Sequence, residues 1–355
     1  MKVSVIVPVF NTESFLAECL DSIISQTLTD IEIIIEDGGS TDKSLEIANE
    51  YAKKDSRIKI FSYPNTGYGY SMNHGFACAL GEYVGIVEAD DTIKPAMLEK
   101  LYKKAKELDL DWIRADIYLY YSYEEDDNKR LKRQAIIWDN GYDKILNPQN
   151  DILPYRSGLR TWAGIYKLDF LKAHGISHNE TPGGSYQDVG FYLKTLYYAK
   201  KVFFVKEAFY MWRQDNPASS IHLNAAKLVE KSLTEWNLNY NYLNEHPELG
   251  KMARASYNYR KFYSYRWTRE MSDNDEVQKK IVEKAIKKEF SKAIKDGEID
   301  RSFYFDDEWY QFLQFLKNCG VDTKKLESEN PIPIRKRIKY FFEKVKRNIF
   351  AQIKE

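Results

Sequence analysis

Cysteine is scarce in this chain. Cys19, Cys78 and Cys319 are the three in 355 residues, too few and too scattered for a disulfide framework or a cysteine-rich zinc site. They suit a reducing compartment. Net charge is also missing: 53 basic side chains balance 53 acidic ones, which argues against a generally basic nucleic-acid binder. Long apolar runs are absent, so no membrane span is expected. The opening MKVSVIVPVFN is short, is interrupted by Pro8 and reads as a strand rather than a signal peptide. No GxxxxGK[ST] loop occurs. Gly67-Tyr68-Gly69 lacks its third glycine because Met72 stands there, which disfavours phosphate-loop NTPases and dehydrogenases. His174 and His178 are four apart, but Gly175 interrupts any helix between them, and no zinc site is read.

What is present is a regular alternation. Residues 3–9, 31–35, 58–61, 83–87 and 112–120 are apolar runs of strand length. Between them, apolar residues recur at helical spacing: Phe15, Leu16, Cys19, Leu20, Ile23 and Ile24, then Leu45, Ala48 and Tyr51, then Met72, Ala77 and Leu80, then Leu98, Leu101, Tyr102 and Ala105. Asn11 is placed to cap the first helix, and Pro95 to open the fourth. The pattern predicts an α/β fold, Rossmann-like, with a mostly parallel sheet and helices on both faces. Ligands of such sheets bind beyond the carboxyl ends of the strands. Polar residues gather there: Asn11 after the first strand, Glu36, Asp37 and Ser40 after the second, Glu88, Asp90 and Asp91 after the fourth. The run EEDDNKRLKR (124–133) reads as a solvated loop. From about residue 225 the pattern is helical, with Leu233, Trp236, Tyr240 and Leu243 on one face and Val282, Ile286, Phe290 and Ile294 on another. The expected division is 1–222, an α/β domain that would carry the ligand-binding and catalytic residues, 223–330, a helical domain, and 331–355, a basic amphipathic tail helix.

Glu88-Ala89-Asp90-Asp91 sets three carboxylates after a strand. Their repulsion is costly unless a cation or hydrogen-bond donors offset it, and hard cations such as Mg²⁺ or Mn²⁺ prefer oxygen ligands and bridge to phosphates. A turn with an acidic helix cap accounts for the same residues.

Six segments then occur in order: VSVIVPVFN (3–11), EDGGSTD (36–42), NTGYGYSMNHG (65–75), GEYVGIVEADD (81–91), SYQDVGF (185–191) and RQDNPASS (213–220). Together they resemble family 2 glycosyltransferases of the GT-A fold, bacterial and non-processive in type, over about residues 1–222. The resemblance implies a metal-dependent, inverting, hexosyltransferase-type enzyme. The donor would be a nucleotide diphosphate sugar and the acceptor a glycan, lipid-linked or glycoprotein hydroxyl. It implies Asp188 as the catalytic base, and Pro8, Phe10, Asn11, Asp37, Asn73, Glu88, Ala89, Asp90, Trp162 and Arg213 as donor-binding residues. The metal, Mn²⁺ or Mg²⁺, would be held by Asp90, with Asp91 and His222 as further candidates. Three positions depart from the family pattern. Glu88 replaces the commoner Asp, Gly38 replaces an acidic residue, and Met72 stands where many relatives carry Arg. Trp212-Arg213 reverses the order in the Gln-x-x-Arg-Trp signature of processive relatives.

Residues 331–355 carry eight Lys or Arg against two Glu, with Ile334, Ile338, Phe341, Phe342, Val345 and Ile349 mostly on one helical face. Such a basic amphipathic helix can lie on an anionic membrane surface, making the protein cytoplasmic and peripheral on the inner face of the plasma membrane. Alternatively it docks on the helical domain. That domain could also support a homo-oligomer, and no nucleic-acid partner is expected. Cell-envelope polysaccharide synthesis is the implied setting. The rival reading is a catalytically degenerate GT-A domain that serves as a carbohydrate-binding or scaffold module.

Overall fold

Valine and isoleucine at successive positions bury β1 (Val3–Val9) and β2 (Ile31–Asp37) along nearly their whole length, as strands covered on both faces require. The computed structural model describes residues 1–64, 67–217, 219 and 224–331, without the side chains of 127 and 139. With β3 (Ile58–Ser62) and β4 (Tyr83–Ile86), the first two strands form a parallel block in the order β3-β2-β1-β4. Helices α1 (Leu16–Ile24), α2 (Ser44–Lys54) and α3 (Tyr68–Cys78) make the crossovers. A two-residue strand, β5 (Thr92–Ile93), precedes α4 (Met97–Leu108), whose buried stripe is Met97, Leu98, Leu101 and Ala105.

Past β4 the sheet changes character. It continues β4-β8-β6-β9-β5, with β6 (Trp112–Tyr120), β8 (Gly164–Lys167) and β9 (Val202–Arg213). β8 runs antiparallel to both β4 and β6, and β9 parallel to β6. The sheet is therefore mixed, with β1, β2, β3, β4, β6 and β9 running one way and the remaining strands reversed against them. The α/β class with a GT-A-like architecture stands, and its second half is built by a reversed strand that apolar runs alone do not orient. The charged run 124–133 is not simply a loop. It contains α5 (Asp127–Arg130) and β7 (Leu131–Gln134), which pairs antiparallel with β6. Alternation there is masked because β7 is an edge strand, with charged side chains facing outward as edges require. Arg133 of β7 reaches the buried Asp116 carboxylate of β6 at 2.6 Å. Asn11 does not cap α1. It adopts a left-handed conformation, φ 53°, and its Oδ1 accepts from the Thr41 amide at 2.8 Å, tying the end of β1 to the loop after β2. Helices α6 (Leu168–Ala173) and α7 (Gln187–Tyr198) complete this unit.

The chain divides into two compact units, Met1–Leu223 and Asn224–Glu355. The second is helical: α8 (Ala225–Glu245), α9 (Gly250–Met271), α10 (Glu276–Lys295), α11 (Asp306–Asn318) and α12 (Lys324–Glu329). Asn224 caps α8 by accepting from the Lys227 amide at 3.0 Å. Its core is aromatic, with Trp236, Tyr257, Tyr265, Phe290, Trp309 and Phe312 buried. Among the described residues no helix is long and apolar enough to cross a membrane. The tail from 332 onward, and His222, lie outside the described residues.

Candidate active site

The carboxyl ends of β1, β2 and β4 and the end of β9 surround one face of the first unit. β4 ends at Ile86, and the chain turns through Glu88, Ala89, Asp90 and Asp91 before β5. These carboxylates have different surroundings. Asp91 is buried. Its Oδ2 accepts from Tyr210 Oη at 2.8 Å and its Oδ1 from the Arg213 amide at 2.7 Å. Burial and the neighbouring Asp90 push its pKa well above the usual carboxylate range. Asp90 is partly exposed, and its Oδ2 accepts from Asn216 Nδ2 at 2.7 Å. Glu88 accepts from Tyr68 Oη at 2.8 Å. Burial, with Asp90 and Asp188 adding, raises its pKa to about 8 against the opposing hydrogen bond of Tyr68. Ala89 is buried.

Tyr210 joins this turn to β9. Its hydroxyl donates to Asp91 and accepts from the Glu88 amide at 3.0 Å. Trp162 stacks on the Tyr210 ring at 4.2 Å between centroids and is 9% exposed, so one face of its indole is already covered. Arg213 is buried and engaged. Its Nε donates to the Asp90 carbonyl at 2.8 Å, its guanidinium pairs with Glu18, and Phe15 and Tyr120 flank it at 4.8 and 4.7 Å. In this arrangement it fastens the end of β9 to the Asp90 turn.

Asp188 lies in the first turn of α7. Its charge reaches Glu88, Tyr68 and Tyr166 closely enough to raise the pKa of each. The fold therefore brings Asp188 to the acidic turn although one hundred residues separate Glu88 from Asp188 in sequence. On the other side, Pro8 pairs in register with Glu36 and Val9 with Asp37. Phe10 is 49% exposed. Asp37 is buried and holds its own turn, with Oδ2 accepting from Ser62 Oγ at 2.7 Å and Oδ1 from the Ser40 amide at 3.1 Å. A Cβ at Gly38 would meet nothing nearer than 3.7 Å. An open cleft of about 230 Å³ runs from Asn11–Phe15 past Asp42 to Asn216 and Pro217, and Asn216 is the residue bonded to Asp90. Asn216 thus links the lining of this cleft to the Asp90 carboxylate. Asn73 does not face that cleft with its amide. Its Oδ1 accepts from the His178 amide at 2.8 Å, and its Nδ2 donates to the His178 carbonyl at 3.0 Å and Glu180 Oε1 at 2.9 Å. Met72 is wholly buried, so this position supplies core packing and no cation.

Several participants escaped the sequence reading. Tyr210 carries no signature, since Tyr is abundant, and Asn216 sits inside the RQDNPASS segment, where Arg213 alone stands out as a candidate. Glu36 is buried beside His74 and Tyr63, at 2.9 and 2.8 Å, and burial raises its pKa despite both partners. Glu36 is visible in the sequence as a polar residue closing an apolar strand run; its pairing with His74 and Tyr63 is not. Gly67 and Gly69 enter the sequence pattern only as an incomplete GxGxxG. A Cβ on Gly69 would lie 2.0 Å from the Asn179 carbonyl oxygen, and one on Gly67 2.5 Å from that of Thr181. Their purpose is close approach of the segment preceding α7.

Among the described residues no three His, Cys, Asp or Glu side chains converge as a metal cage. Asp90 and Glu88 are the partly exposed carboxylates of the turn, each with one oxygen engaged by a hydrogen bond among the contacts above. One such hard oxygen donor fits a cation whose other ligands are phosphate oxygens and water. Asp91 has both oxygens committed within the fold.

With this geometry in place, comparison with known proteins is informative. The sequence model described as glycosyl transferase family 2 matches residues 4–162. The uncharacterized glycosyltransferase EpsJ of Bacillus subtilis is 43% identical over 116 residues, 33% of this chain and 34% of that protein. Glycosyltransferase GlyG of Streptococcus pneumoniae is 40% identical over 126 residues, 35% of this chain and 41% of that protein. The matches therefore span well under half the length of these relatives. In three dimensions the crystal structure of S. aureus TarS 1–349 superposes with a TM-score of 0.66 at 20% identity, covering 92% of this chain and 89% of the other. This last likeness is one of fold.

Proposed function

We propose that the chain, whose residues 4–162 match the glycosyl transferase family 2 model, transfers a sugar from a nucleotide diphosphate donor to an acceptor hydroxyl with inversion. The observation that carries the reading is that Asp188 lies within electrostatic reach of Glu88, in the turn after β4, and of Tyr68, which donates to Glu88. In the proposed reaction Asp188 takes the proton of the acceptor hydroxyl as its oxygen attacks the anomeric carbon. The bond from that carbon to the diphosphate oxygen breaks, and its electron pair leaves with the nucleoside diphosphate. General-base assistance of this kind contributes roughly 10²- to 10⁴-fold.

Asp90 would hold Mg²⁺ or Mn²⁺ together with the donor diphosphate, and Asp91 would brace the turn from inside. Such a cation supplies charge stabilisation for the departing diphosphate. Asn11 and Asp37 border the place where the nucleoside would lie. TarS, which shares the fold, has been crystallised with UDP-GlcNAc. That supports a nucleotide-sugar donor without fixing which one this chain takes. The basic segment 331–355 would bring the enzyme to an anionic membrane surface and to lipid-linked acceptors.

Calorimetric titration with UDP, GDP, dTDP and CMP, with and without Mn²⁺, tests the reading on wild type and on Asp90→Asn and Asp188→Asn. The expected result is metal-dependent binding of one nucleotide, lost in Asp90→Asn and kept in Asp188→Asn, with transfer abolished in the latter. Binding of none of them favours the degenerate carbohydrate-binding module.

A further inference from the structure

We propose that Asn73 is a positioning residue for Asp188: it clasps the strap of residues 177–186 onto α3 and so sets where α7 begins. The proposal rests on the transferase reading for its catalytic consequence and on geometry alone for its structural one.

Three kinds of contact hold the strap. Asn73 makes a two-way bond with the His178 backbone and a third bond to Glu180 Oε1, all between 2.8 and 3.0 Å and bridging more than 100 residues of sequence. The His178 ring, 2% exposed, stacks on Phe191 at 4.4 Å with a 5° interplanar angle and lies against Phe76 and Tyr68. The Tyr68 amide donates to the Gly183 carbonyl at 2.9 Å. The near side of α3 is pared to glycine where the strap crosses, at Gly67 and Gly69, because any side chain there would collide with strap backbone.

The far end of the strap is tied to α7. Gln187 Nε2 donates to Thr181 O, Thr181 Oγ1 and Gly183 O at 3.0–3.2 Å, and its Oε1 accepts from the Ser185 amide at 2.6 Å. Tyr186 takes a left-handed conformation, φ 68°, uncommon for a bulky residue and sustained only where surroundings impose it. Asp188 follows two residues later. Tyr68, on the same first turn of α3, donates to Glu88. One helix, α3, thus references both the acidic turn and the start of α7. Displacing the strap moves Asp188 relative to Glu88 and Asp90, and a misplacement of about 1 Å at a reacting group costs on the order of 10²-fold.

The test uses the full chain with Asn73→Ala and, from a different side, Gly69→Ala, whose new Cβ meets the Asn179 carbonyl. Both should lower kcat at least tenfold while the affinity for whichever of UDP, GDP or dTDP binds wild type best stays within twofold. Both should speed amide hydrogen exchange at Ser185 and Val189, which Asn73 does not touch, at least tenfold. Exchange in the β1 and β2 amides serves as the folding control and should stay unchanged. A tenfold loss of nucleotide affinity in Asn73→Ala with normal exchange at Ser185 and Val189 overturns the proposal in favour of direct donor contact. Normal exchange with kcat within twofold overturns it as well. If wild type transfers nothing to any acceptor, the transferase reading fails separately, and the strap proposal is decided by the exchange at Ser185 and Val189.

Discussion

Replacing His178 by phenylalanine should remove a large part of the acid sensitivity of the first unit. The His178 ring is buried, and neither ring nitrogen has a hydrogen-bond partner. Burial, with the Lys194 charge adding, lowers its pKa to about 3. Lys194 Nζ donates to the Ser177 carbonyl at 3.0 Å, on the same strap. In the unfolded chain a histidine titrates near its ordinary value of about 6.5. Below that pH the unfolded state binds a proton that the folded state refuses, so stability present above about 6.5 is lost as pH falls toward 3. By pH 5 the loss from this one group is about 2 kcal/mol, from RT ln(1 + 10^1.5). Phenylalanine keeps the stack on Phe191 and forfeits no hydrogen bond. Urea denaturation at pH 7.5 and 5.0 measures the effect. Wild type should lose about 2 kcal/mol more than His178→Phe across that interval, and an NMR titration of wild type should show no His178 protonation above pH 5. Equal losses in the two proteins would refute the reasoning, because they would mean that the folded state accommodates the charged ring.

Three further outcomes follow from the site. Asp91→Asn should destabilise the first unit by about 1–3 kcal/mol, because its amide would face either the Tyr210 hydroxyl or the Arg213 amide with a donor where an acceptor is needed; the shift in urea midpoint reports it. Asp188→Asn should leave the urea midpoint within about 0.5 kcal/mol of wild type, the usual range for substitutions outside the packed core, while transfer falls by about 10²- to 10⁴-fold; a parallel collapse of stability would assign Asp188 a structural role. Gly38→Asp should fold normally, since a Cβ there meets only ordinary contacts, and should tighten UDP binding over GDP in calorimetry; unchanged selectivity would place the base elsewhere than beside Asp37.

The first half of the sheet was legible because its strands are buried on both faces and so read as unbroken Val and Ile runs, with helical stripes such as Leu16, Leu20 and Ile23 between them. The second half was less so. β8 is four residues long, and its antiparallel direction depends on neighbours 50 residues away in β6 and 80 in β4. β7 carries Lys132 and Arg133 and shows no apolar period. Asn11 looked like a cap because Asn before an apolar stripe ordinarily is one. The Thr41 amide competes for the same side chain from 30 residues away and takes it.

By itself, then, the sequence determined the α/β class, the resemblance to family 2 glycosyltransferases, and the strand ends at which polar residues collect, since these follow from local burial patterns and ordered motifs. Tertiary structure alone decided what each polar residue does there. Asp90 and Asp91 are neighbours in sequence, yet one is partly exposed and bonded to Asn216 while the other is walled in by Tyr210 and the Arg213 amide. Asn73 spends its amide on the strap, and Asp188 meets Glu88 across one hundred residues. Hydrogen-bond partners and burial are long-range properties, set by which elements pack together, and no spacing along the chain encodes them.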